Sequence, residues 1–162
     1  MVMAARPDAS IQGIDIFLRP RLQIPVLKYD GVHIPHPDQS FDAVIFLDVL
    51  HHTTDPMSLL REASRVSRKY IIIKDHSRDG FTAGTLLRFM DWVGNAPHGV
   101  VLPYKYWSSG QWRSAFGALG LKMSEYRGRL GLYPFPGNWI FERSLHFVAR
   151  LEVGHGDRQR AN

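Results

Sequence analysis

The sequence predicts an α/β fold on an open, mostly parallel sheet. Three observations carry this. Apolar runs of strand length alternate with helical periodicities. Two of those runs, Phe41 to Leu47 and Tyr70 to Lys74, are apolar enough to be covered on both faces, as parallel strands are. Acids also collect just behind the strands, where open α/β sheets bind their ligands.

Taken in order, Ile11 to Leu18 is apolar and β-branched and is closed by Arg19-Pro20, which makes it a strand with Asp15 near its carboxyl end. Val26 to Tyr29 is a short strand, followed by the turn Asp30-Gly31. After the polar stretch Pro35 to Ser40, Phe41 to Leu47 forms the third strand, with Asp48 behind it. Asp55-Pro56 supplies a cap and a first-turn proline, and Met57, Leu60, Ala63 and Val66 recur at helical spacing, so a helix runs from Pro56 to about Arg68. Tyr70 to Lys74 is the next strand, ending at Asp75-His76.

Thr82 to Val93 reads as a helix with Leu86, Met90 and Val93 on one face and Gly94 as its stop. Pro97 to Trp107 is irregular and aromatic. Behind Ser108-Ser109, Trp112, Phe116 and Leu119 define another amphipathic helix, stopped by Gly120. Leu121 to Arg127 and Leu145 to Glu152 are strands. Residues 1–153 thus make one domain, and 154–162 a flexible tail.

Composition narrows the function. The 162 residues suit one packed domain, and the absence of cysteine removes disulfides, thiolate metal sites and cysteine nucleophiles. No run approaches the roughly 18 apolar residues of a membrane span and no signal-peptide layout opens the chain, so it reads as cytoplasmic. The net charge of +5 is scattered, and its densest group, Arg61, Arg65, Arg68 and Lys69, suits a helix end as well as a phosphate patch. Nucleic acid is therefore disfavoured as a partner. His33 and His36, or His51 and His52, make no compact ligand set by spacing, so no metal site is expected, and no Gly-x-Ser-x-Gly elbow is present.

The strand end Gly13-Ile14-Asp15, the turn Asp30-Gly31, the segment Ile34 to Asp42, and Leu50-His51-His52 followed by Asp55-Pro56 come in an order that resembles the class I S-adenosylmethionine-dependent methyltransferases, in particular the type 11 methyltransferase domain group. The resemblance runs from about Arg6 to Glu152. It implies a Rossmann-like sheet with an antiparallel C-terminal strand, S-adenosyl-L-methionine as cofactor, and methyl transfer to a small-molecule acceptor. By the same resemblance Asp15 holds the cofactor's ribose hydroxyls, a job that suits a carboxylate because it accepts two hydrogen bonds. Asp30 and Gly31 lie beside the adenine, and Phe46 and Leu47 pass the methionine part.

His52 matches a recurrent position, either packing the helix entry or standing near substrate; His51 is the weaker of the two. His76, at a strand end, is the candidate general base or substrate-orienting residue. The aromatic stretch Pro103 to Trp107, with Asp91 and Trp92, falls where the family places its substrate cover, and core packing explains it equally.

The family's first strand and Gly-rich turn have no counterpart ahead of Ile11. The chain is therefore expected to be a form truncated at its N-terminus, through a late start site, a true fragment or a repurposed protein. The alternative function is a catalytically inactive, methyltransferase-like interaction module that takes a strand from a partner, with a homodimer left open.

Overall fold

The computed structural model describes residues 6–18, 20–80, 82–95, 105–132, 134–135 and 145–154. Six strands and three α-helices alternate: β1 (Gly13–Asp15), β2 (Val26–Lys28), β3 (Phe41–Leu47), a 3₁₀ turn (Leu50–His52), α1 (Pro56–Val66), β4 (Ser67–His76), α2 (Ala83–Asn95), α3 (Ser109–Ala118), β5 (Leu121–Arg127) and β6 (His146–Val153). The expected α/β class is observed, with β1–β2 and β3–β4 parallel and β6 antiparallel to both its neighbours. The strands divide into a pair, β1-β2, and a four-stranded sheet in the order β3-β4-β6-β5.

Local chemistry explains the boundaries. Asp55 caps α1 by accepting from the Ser58 amide at 3.1 Å, and Pro56 loses no bond at the first position. Ser108 and Gln111 form a reciprocal capping box on α3, and Gly120, at φ +66°, takes the left-handed step that follows it.

One continuous core holds the sheet. Leu59, Leu60, Ala63 and Val66 of α1 and Trp112, Ala115 and Phe116 of α3 join Ile71, Ile73, Phe147, Ala149 and Leu151 from alternate positions of β4 and β6. Each fully buried aliphatic side chain contributes roughly 1.5–3 kcal/mol. No helix among the described residues is long and apolar enough to cross a membrane.

Several expectations need correction. The first strand is three residues long, since its pairing with β2 ends at Asp15 and Lys28, and Ile16, Phe17 and Leu18 beyond it are exposed. β3 and β4 are not covered on both faces: β3 is an edge strand with Ile45 and Leu47 exposed, and Tyr70, Ile72 and Lys74 of β4 are half-buried. α1 stops at Val66, and β4 begins at once with Ser67 and continues through Asp75 and His76, which pair with Phe147 and His146. The buried stripe of α2 is Ala83, Leu87 and Asp91, while Val93 is exposed; the helix runs through Gly94 to Asn95. The tail beyond Gly154 lies outside the described residues.

Candidate functional site

The carboxyl ends of β3 and β4 bring together groups far apart in the chain. Asp75, fully buried on β4, accepts from the Leu50 amide at 3.0 Å and the His76 amide at 2.7 Å, and its Oδ1 lies 2.6 Å from His51 Nδ1. These bonds fix the 3₁₀ turn and present His51 Nε2 to Asp91 Oδ1 of α2, 3.6 Å away. Asp91 Oδ2 accepts from the Tyr106 hydroxyl, which also reaches the Leu87 carbonyl at 3.2 Å. His52 Nε2 lies 4.0 Å from Asp91 Oδ1. The His76 ring packs 4.6 Å, centre to centre, from both His51 and His146.

The electrostatics differ sharply between neighbours. Burial alone would lower the His51 pKa, but the Asp75 and Asp91 carboxylates outweigh it and raise it to about 9. His76 goes the other way, down to about 4, first through burial and then through repulsion from His51. His52 is lowered by the same two causes. His51 is therefore cationic at neutral pH, while His52 and His76 are neutral.

Asp48 leaves β3 at φ +53°, a backbone region that Asp tolerates better than most residues. Its carboxylate is gripped by Lys74 Nζ at 2.5 and 2.7 Å and stands 3.6 Å from His76 Nε2.

The remaining sequence candidates sit at the ends of β1, β2 and β3. Asp15 ends β1, half-buried; its Oδ1 accepts from the Phe17 amide at 3.0 Å, and Oδ2 makes no hydrogen bond among the described residues. Asp30 follows β2 and is exposed, with Oδ1 accepting from the Val32 and His33 amides and Oδ2 lying 2.9 Å from His33 Nδ1. Burial, and then the charges of Asp15 and Asp30, push the Tyr29 hydroxyl pKa up, which puts both acids around one side chain. Gly31 adopts φ +85°. The Phe46 ring is buried in the core. The Asp48 amide donates to the Lys74 carbonyl, so by strand alternation the Ile45 and Leu47 backbones face the open edge of β3, and the Phe46 backbone faces β4.

His52 and His76 thus come together, but around His51, Asp75 and Asp91, whose grouping sequence reasoning missed. The one signal was a carboxylate at i+8 from Ala83 and i+4 from Leu87, on the buried stripe of a helix. An apolar groove of about 260 Å³ between α3 and β5–β6, lined by Trp112, Phe116, Met123 and Tyr126, shares none of these groups.

Residues 2–72 match the family model described as a methyltransferase domain. That stretch of sequence is similar to the methyltransferase domain family, and it spans less than half of this chain. Forty-four residues are 46% identical to the 27-O-demethylrifamycin SV methyltransferase of Amycolatopsis mediterranei (strain S699), a match spanning 26% of this chain and 16% of that one. Among solved structures, a chain of the complex between the Haloferax volcanii Trm112 methyltransferase activator and a methyltransferase superposes with a TM-score of 0.68 at 16% identity, covering 96% of this chain and 78% of that one. A SAM-dependent methyltransferase from Methanosarcina mazei gives 0.63 at 14% identity, covering 93% and 85%. At these identities the structural matches speak for the fold.

The residues present fit such a methyltransferase cofactor in part. Among the described residues Asp15 Oδ2 makes no hydrogen bond that would compete with a hydroxyl, and the Leu47 backbone faces away from β4 at the β3 edge. Both oxygens of Asp30 are already used within its own turn, so the contact expected of it at the adenine would compete with His33 and two amides.

Proposed function

We propose that this chain transfers a methyl group from S-adenosyl-L-methionine to a small-molecule acceptor. The observation that carries the reading is the buried His51, Asp75 and Asp91 cluster at the ends of β3 and β4, in a chain whose residues 2–72 match a methyltransferase domain. When bound, the cofactor supplies a methyl group made electrophilic by its sulfonium. Asp15 would accept from the ribose hydroxyls, the Leu47 backbone and Phe46 would hold the methionine part, and Asp30 and Gly31 would hold the adenine. His76 and His52, neutral at pH 7, accept a hydrogen bond or a proton from the acceptor and orient it. His51, held cationic between two carboxylates, fixes the position of the turn that carries His52.

Calorimetric titration with S-adenosylhomocysteine tests the cofactor half, and transfer of labelled methyl to a panel of small alcohols, phenols and amines tests the acceptor half. Saturable binding that is lost in Asp15→Ala, with transfer reduced in His76→Ala, is expected; silence in both assays overturns the reading. The split of the sheet favours a second reading, since among the described residues β1 and β3 each have a partner on one side only. An inactive module completed by a strand from a partner or a second copy would show concentration-dependent association and no binding of S-adenosylhomocysteine.

A further inference from the structure

We propose that His51, His52 and Asp91 form a binding site for one divalent first-row transition-metal ion, Zn²⁺ being the reference case. Each offers one ligand atom, and these atoms all lie within 4.8 Å of one another. A tetrahedral ion with bonds of about 2.0–2.1 Å holds its ligands about 3.4 Å apart, so the His51 Nε2 to Asp91 Oδ1 separation of 3.6 Å already suits one. His52 Nε2 stands 4.0 Å from the same oxygen.

Burial argues that something belongs there. The His51 side chain is 2% exposed and that of Asp91 9%. Among the described residues His51 Nε2 is buried without a hydrogen bond, a state that native proteins resolve with water, an ion or protonation.

The surroundings are those that prepare metal ligands. Asp75 Oδ1 lies 2.6 Å from His51 Nδ1 and turns Nε2 inward, so a bound ion would displace the Nε2 proton of the cationic ring to solvent and leave Nδ1–H on Asp75, the carboxylate–histidine arrangement seen behind metal-bound imidazoles. Tyr106 donates to Asp91 Oδ2, and Oδ1 lies 3.6 Å from His51 Nε2 and 4.0 Å from His52 Nε2. Two imidazoles and one carboxylate select borderline cations rather than Ca²⁺ or Mg²⁺, and three protein ligands leave a position open. This inference does not rest on the methyl-transfer reading.

The test uses the full chain, stripped with a chelator and titrated with Zn²⁺ against a chromophoric competitor, with Co²⁺ as a spectroscopic substitute. One equivalent is expected to bind and Co²⁺ to show ligand-field bands. Asp91→Asn and His52→Gln should each weaken binding about a hundredfold or more, and Asp75→Asn about 10–100-fold. If Asp91→Asn does not fold, the half-buried His52→Gln gives the same information. No stoichiometric uptake, or uptake unchanged in His52→Gln and removed by changing the exposed His33 instead, overturns the proposal.

Discussion

Replacing Asp75 by Asn keeps the shape of the side chain and removes its charge, and the structure sets how far the consequences reach. The carboxylate is fully buried and serves Leu50, His51 and His76 at 3.0, 2.6 and 2.7 Å. An amide oxygen in the Oδ1 place serves His51 and His76 but turns an N–H toward the Leu50 amide, and in the Oδ2 place it serves Leu50 but turns an N–H toward His51 Nδ1 and the His76 amide. Breaking one side of a buried ion pair costs about 3–5 kcal/mol. The raised His51 pKa, from 6.5 to about 9, is of the same order: at 1.36 kcal/mol per unit, the net of burial and of both carboxylates, Asp75 and Asp91, is about 3 kcal/mol.

The sign of the pH dependence follows. His51 has a raised folded pKa, so its contribution is complete below pH 6.5 and is lost as pH rises through about 9. His76 has a depressed folded pKa, so its contribution is complete above pH 6.5 and is lost as pH falls toward about 4. The cluster is most stabilising near pH 6.5. Urea unfolding in the presence of a chelator should therefore give a maximum there, with Asp75→Asn destabilised by about 3 kcal/mol at pH 6.5 and by much less at pH 9.5. A cost below about 1 kcal/mol, or one equal at both pH values, would refute the buried-pair reasoning.

Arg65 donates to Glu62, to Asp38 and to the Ile34 and His36 carbonyls at 2.8 to 3.0 Å, tying the approach to β3 onto α1, so Arg65→Ala should cost about 2 kcal/mol in urea unfolding. Arg6→Ala, which breaks an exposed pair with Asp8, should leave the midpoint unchanged. Gly31→Ala should cost about 1–2 kcal/mol, because φ is +85° and the new Cβ would stand 3.2 Å from Ile16 Cγ2. Asp15→Ala should weaken S-adenosylhomocysteine at least about tenfold in calorimetry while thermal unfolding stays unchanged, the loss of a charge-assisted hydrogen bond to a hydroxyl.

Where local chemistry decides, the sequence was legible. Phe41 to Leu47 and Leu121 to Arg127 are strands at the residues expected, the first a β-branched and aromatic run, the second opened by the Gly120 turn that stops α3. The start of α1 at Asp55-Pro56 and the Ser108 cap of α3 were equally plain, because a cap satisfies amides within three residues of itself. The first strand was overread at Ile16 to Leu18, because apolar residues extend a strand only where a neighbouring strand is present to pair with them. α2 was rotated by one position, since Leu86, Met90 and Val93 fit the helical period as well as Ala83, Leu87 and Asp91, and what covers a helix is decided outside it.

The sequence by itself determined the α/β class, most element boundaries, and the standing of His52 and His76 at strand or turn ends. The tertiary structure decided that His51 lies at the centre, that Asp75 and Asp91 hold it from β4 and α2, and that two adjacent histidines differ in charge at neutral pH. The reason is range. Capping, turns and periodicity act over a few residues and leave their record in neighbouring letters. The field at a buried imidazole is set by carboxylates 24 and 40 positions along the chain, brought within 2.6 and 3.6 Å by the register of β3 on β4 and the seating of α2.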